Sequence, residues 1–203
     1  VRKLRPLARR EYAGDALEVA PYLLNKLLVR GRRVGRIVEV EAYRGEEDPA
    51  SHAYRGLTRR NATMFGPPGL LYVYFTYGMH WCSNVVCGPK GKARAVLLRA
   101  VAPVSGLEEM WTARPKARKA TELASGPARL CQAFGIEGRD DGADLVRADR
   151  GIYLADDGRP PPPSPGVSGR VGVKEGAELP WRWWVPEDPN VSRPSGVAPL
   201  TPE

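Results

Sequence analysis

The chain has 203 residues, enough for one domain or two small ones. Hydrophobic residues make up 42 % of it, which excludes a disordered chain, and the formal net charge of +8 favours a polyanionic partner, of which nucleic acid is the usual one. Three scattered cysteines (Cys82, Cys87 and Cys131) and two histidines exclude a disulfide framework and offer no zinc-site spacing, so no metal and no cofactor is expected and a reducing cytoplasm fits.

Residues 1–10 are basic but precede no apolar stretch, which argues against a signal peptide. Asp15-Ala-Leu-Glu18 has the form of a capping box and predicts a helix start, with Pro21 expected to kink or delay it. Lys26 to Val29, a turn at Arg30-Gly31-Arg32, and Val34 to Tyr43 read as a hairpin. Asn61 to Pro89 carries no charged side chain, yet Pro67, Pro68, Gly69, Gly78 and Gly88 interrupt it, so buried strands are expected there and no membrane span. Within it, Leu70 to Phe75 and Trp81 to Val86 form a second hairpin reversing at Tyr77-Gly-Met-His80. Ala93 to Val101 is the next strand, Ser105-Gly-Leu-Glu108 predicts another capped helix, and Ser125-Gly-Pro127 opens a third that stops near Gly135. Ile152–Leu154, Arg170–Val173 and Trp183–Val185 read as late strands. Residues 159–165 form a polyproline surface loop, and 187–203 a loose C-terminal tail. Many strands and few helices predict a single α+β domain: a mixed, mostly antiparallel curved sheet with flanking helices and a protruding β-hairpin.

Alternation places Val38, Val40 and Ala42 on one face of their strand and Glu39, Glu41 and Tyr43 on the other. Glu41 and Tyr43 stand two apart, hence side by side: a carboxylate suited to general-base work next to an aromatic platform. A solvated strand face is the bland alternative. Tyr72 and Tyr74 share a face, with Tyr72 expected in the core, while Tyr77 at the reversal has little core to fill and is suited to wedge into a base stack. Arginines and lysines around both hairpins, Arg59 and Arg60 among them, bracket these residues as phosphate contacts would.

At Glu39-Val-Glu-Ala-Tyr43, Asp48-Pro-Ala-Ser-His52, Arg59-Arg-Asn-Ala-Thr-Met-Phe65 and Leu71-Tyr-Val-Tyr-Phe-Thr-Tyr-Gly-Met79, the chain closely resembles the alkyladenine (3-methyladenine) DNA glycosylase family of the vertebrate type. Leu97-Leu-Arg-Ala100, Ser125-Gly-Pro-Ala-Arg-Leu-Cys-Gln132 and Gly169-Arg-Val-Gly-Val173 extend the resemblance from about Leu17 to Val191. It implies that Glu41 activates water, with Arg99 holding both. It implies further that Tyr43, His52 and Tyr74 wall the flipped base, that Asn84 disfavours guanine, and that Tyr77 fills the vacated stack. Arg59, Arg60 and Arg129 are the DNA-backbone candidates. His80 stands where the vertebrate protein has a tyrosine.

The resemblance implies a monofunctional base-excision-repair glycosylase. It would release 3-methyladenine, hypoxanthine or etheno-adenine from double-stranded DNA and leave an abasic site. A bacterial, cytoplasmic, nucleoid-associated monomer is expected. Two other readings remain open at this point: a non-catalytic module that stacks single-stranded nucleic acid, and a hydrolase of small glycosides or nucleosides.

Overall fold

A computed structural model of the chain describes residues 4–192. Helix α1 (Ala16–Leu23) starts where the capping box puts it: the Asp15 carboxylate accepts from the Leu17 amide and Glu18 reaches back to the Asp15 amide. Pro21 falls in the last turn and does not delay the start. Strands β1 (Leu27–Arg30) and β2 (Arg33–Tyr43) form the first hairpin, with Arg30 opposite Arg33 and a turn at Gly31 and Arg32. Strands β3 (Leu70–Thr76) and β4 (His80–Cys87) form the second, and β5 (Arg94–Ser105) follows. Helices α2 (Leu107–Ala113) and α3 (Pro127–Phe134) come next, then the short strands β6 (Ala143–Asp144), β7 (Ile152–Ala155), β8 (Gly166–Ser168) and β9 (Arg182–Trp184).

The nine strands among the described residues join one antiparallel sheet in the order β6-β3-β4-β5-β2-β1-β7, with β9 added to β2 and β8 to β9. The spine is β2. Its first half pairs with β1, Glu39 to Glu41 pair with β9, and its other edge pairs with β5 throughout. Register shifts around Glu39 mark a bulge, which bends the strand and curves the sheet.

The helices cover one face. Val19, Leu23 and Leu24, with Leu130 and Phe134, pack onto Ile37, Val40, Val85, Val96 and Leu98. Fully burying each such large side chain contributes roughly 1.5–3 kcal/mol, so this face carries the stability. The opposite face of β3, β4 and β5 holds a smaller cluster in which Tyr72, Val86 and Ala95 lie under Ala53 and Met64. This division leaves the second face free to build a site.

Several local expectations need correction. Ser105 does not cap α2. Its hydroxyl donates to the Arg32 carbonyl, and Gly106, at φ 69°, takes the cap position because it has no Cβ to clash. Gly126 replaces Ser125 as the cap of α3, with Pro127 in its first turn. The uncharged segment opens with a 3-10 turn, Ala62–Phe65, not with a strand. Residues 170–173 form no strand, because the partner of β9 is β8 instead. Residues 159–165 have no regular structure, and the Pro160 carbonyl accepts from Asn25 Nδ2. Of the expected loose tail, 193–203 lie outside the described residues, whereas Asn190 is buried and Ser192 is bonded into the second face. No helix among the described residues is long and apolar enough to cross a membrane.

Candidate active site

Register assembles the site. Across the second face, Glu41 on β2 pairs with Leu97 on β5, Leu97 with Asn84 on β4, and Asn84 with Tyr72 on β3. Two residues along, Arg99 on β5 and the Tyr74–Cys82 pair extend the same face. The row borders a cavity of about 490 Å³, a size usual for small-molecule sites. Tyr43, His52, Tyr74, Tyr77, Asn84 and Arg99, six of the residues singled out from sequence, all line it.

Glu41 sits directly behind the cavity wall and is fully buried, as is Glu39. The polar face of β2 is therefore no solvated surface. Strand β9 and residues 169–173 close over it. What surrounds Glu41 is polar. Its Oε1 accepts from the Val171 amide at 2.7 Å and lies 3.3 Å from Arg99 Nη1, and its Oε2 accepts from the Tyr43 hydroxyl at 3.0 Å. Glu39 belongs to a second layer. Its Oε1 accepts from Arg99 Nε at 3.0 Å, from Arg182 Nε at 2.7 Å and from the Ser192 hydroxyl at 2.9 Å, while its Oε2 accepts from the Ser192 amide at 2.6 Å. Burial disfavours charge on Arg99, but Glu41 and Glu39 outweigh it and push its pKa up. Tyr43 is held well above the ordinary phenol range by burial and by Glu41, so it stays protonated and donates.

The aromatic walls are fixed to one another. Tyr72 and Tyr74 stack at 5.5 Å between centroids, and the His52 ring meets Tyr74 edge-on at 4.4 Å. His52 Nδ1 lies 3.0 Å from the Tyr72 hydroxyl. Tyr72 is core, as expected, and also borders the cavity. Burial raises Tyr72 to about 12. Partial burial and the nearby Arg60 lower His52, which keeps its imidazole neutral at pH 7.

At the tip of the second hairpin, Thr76 pairs with His80 and Tyr77 projects from the reversal, 80 % exposed. His80 Nδ1 is buried with no hydrogen-bond partner among the described residues. Of the basic candidates, Arg59 and Arg129 are exposed, Arg129 donating to Ser125 Oγ, and Arg60 donates to the Phe75 carbonyl at the base of the tip. Arg30 and Arg36, by contrast, form ion pairs with Asp140 and Asp157.

The family model described as methylpurine-DNA glycosylase (MPG) matches residues 10–189. The chain belongs to this family. A relative from Burkholderia lata, named a 3-methyladenine DNA glycosylase, is 57 % identical over 180 residues, covering 88 % of this chain and 87 % of the relative. Relatives of the same name from Streptomyces avermitilis and Carboxydothermus hydrogenoformans are 50 % and 45 % identical, covering 92 % of this chain and 91 % and 98 % of theirs. The chain is thus a DNA glycosylase acting in repair, and its sequence is of the bacterial kind. Sequence reasoning gave no role to Asp48, Arg170, Arg182 or Ser192, although the first two stand inside motifs that match. The contacts that give them these roles, Arg170 to Asp48 and both Arg182 and Ser192 to Glu39, span more than 120 residues, so no local pattern reveals them.

Proposed function

We propose that this glycosylase extrudes a damaged purine from duplex DNA into the aromatic cavity and hydrolyses its N-glycosidic bond with water activated by Glu41. The observation that carries the reading is the Glu41 carboxylate, held by Arg99, Tyr43 and the Val171 amide directly behind a cavity walled by stacked aromatic rings. Cleavage builds positive charge on the sugar, and an ionised carboxylate stabilises that charge while taking a proton from water. Arg99 borders both the cavity and Glu41, so a water at that edge meets both.

Tyr43, His52 and Tyr74 grip the base by stacking, at about 1–3 kcal/mol per base, without demanding one hydrogen-bond pattern. A neutral His52 does not repel a cationic alkylated purine. Asn84 Nδ2 donates to the Tyr72 carbonyl, which fixes the amide that would crowd the amino group of guanine. Substrates on this reading are 3-methyladenine, hypoxanthine and etheno-adenine. Burial pushes Tyr43, Tyr72 and Tyr74 up and His52 down, so none of these four is tuned to protonate a neutral leaving base, and solvent supplies that proton. The enzyme works as a cytoplasmic monomer on double-stranded DNA, leaving an abasic site and an uncut strand.

The test is Glu41→Gln. Release of hypoxanthine from a duplex oligonucleotide falls by roughly 100- to 10,000-fold, the range of general-base catalysis, while lesion-duplex affinity is retained. Release at the parental rate refutes the assignment. A parent that binds and releases nothing favours a non-catalytic module.

A further inference from the structure

Arg170 and Asp48 form a bidentate ion pair, Nη1 to Oδ2 at 2.6 Å and Nη2 to Oδ1 at 2.8 Å, with both side chains wholly buried. The Asp48 carboxylate also accepts from the amides of Arg44 and Ala50, so it shapes the loop that carries His52. The Arg170 guanidinium lies over the ring of Tyr43 at 4.7 Å and that of Trp181 at 4.9 Å, and Nη1 donates to the Ala42 carbonyl. The next residue along, Val171, supplies the amide that holds Glu41. One side chain therefore touches the Tyr43 wall, the loop bearing the His52 wall and the backbone that orients Glu41.

We infer that the Arg170–Asp48 pair is a positioning element that sets the gap between the two walls of the base cavity and its alignment with Glu41. The inference rests on the stacking and base-release reading given above. Neither residue lies on the row that bears the reacting groups, so each acts through others. The pair suits the task. A guanidinium is planar, makes two parallel bonds to a carboxylate and stacks on an aromatic face, and a lysine does not reproduce this combination. Being buried and neutral in sum, it adds no net charge beside a cationic base. Its loss would leave Tyr43 on β2 but free the ring to tilt, and would release residues 44–52 from the strap at 169–173.

Two variants and two readouts test this. Asp48→Leu combined with Arg170→Met replaces the pair by apolar side chains, a change that buried ion pairs often tolerate in stability, whereas removing one partner strands a charge. Arg170→Lys keeps the charge and loses the fork and the flat stack. Each is compared with the parent by thermal melting, by single-turnover release from a duplex carrying etheno-adenine, and by the fluorescence change of that base on binding. For both variants, single-turnover release falls by roughly 10- to 100-fold, the scale of a misplacement of about 1 Å. The fluorescence change shrinks, while affinity for undamaged duplex is unchanged. Parental release and fluorescence in either folded variant overturn the inference and leave the Glu41 assignment standing. If the parent itself releases no base, the catalytic reading falls and this inference falls with it. Should the double variant fail to fold, Arg170→Lys decides alone.

Discussion

Tyr77 shows what a single residue can disclose. Its φ is 51° and that of Gly78 is 65°, so two left-handed residues in succession make the tight reversal of the second hairpin. Asn-Gly is the pair such a turn favours, and a tyrosine there costs about 1–2 kcal/mol of backbone strain. The ring recovers nothing by burial, since it is 80 % exposed. An aromatic held in a strained, exposed position beside a base-sized cavity fits a group that enters the stack of a duplex. We predict that Tyr77→Asn raises thermal stability by about 0.5–1 kcal/mol and weakens lesion-duplex binding by roughly 10-fold, the loss of one stacking partner. Equal affinity in the two proteins would remove Tyr77 from DNA capture. The position of Tyr77 at a hairpin tip was legible in the sequence. Its strain was not, because the turn type depends on the register of the flanking strands.

At the scale of elements, the first half of the fold was readable and the closing strap was not. Helix α1 and the two hairpins declare themselves through a capping box, period-two alternation and turn residues, all of which act within a few positions. Strand β9 was expected within one residue, at Trp183–Val185, whereas β8 was not, and what fixes this region is remote: Val171 reaches Glu41 across 130 positions and Arg182 reaches Glu39 across 143. The same remoteness explains the misplaced strand at 170–173, where an alternating apolar pattern serves cavity lining and ion pairing in place of a ladder. Gly169 is the point at which the strap is vulnerable, because a Cβ there would overlap the Ala177 carbonyl oxygen, which is backbone and cannot swing away. Gly169→Ala is expected to displace the 169–173 backbone and with it the amide on Glu41. Single-turnover release should then fall by about 10-fold or more, while the melting temperature drops by no more than about 4 °C, because the helix-side core is untouched. Full activity in this variant would show that the strap tolerates displacement and does not set the catalytic geometry.

Over the whole molecule, the net charge of +8 is unevenly employed. Arg99, Arg170 and Arg182 are buried against carboxylates and build the site, and Arg30 and Arg36 brace the first hairpin through Asp140 and Asp157. Arg55, Arg59 and Arg129 are exposed instead, as are Lys90, Lys92 and Lys174, with Lys174 on the cavity rim. A count of charges cannot separate these two groups, since burial and pairing are decided by the fold, yet they differ in a measurable way. Each phosphate neutralised by a surface cation adds about −0.9 to the slope of log affinity against log salt for duplex DNA. Arg59→Ala and Arg129→Ala should each make that slope shallower by about 0.9, with melting unchanged. Arg36→Ala should leave the slope alone and lower stability by at most about 1 kcal/mol, the scale of a partly exposed ion pair. If all three variants changed the slope equally, the protein would be meeting DNA through its overall field, and the division between structural and contacting arginines would have to be abandoned.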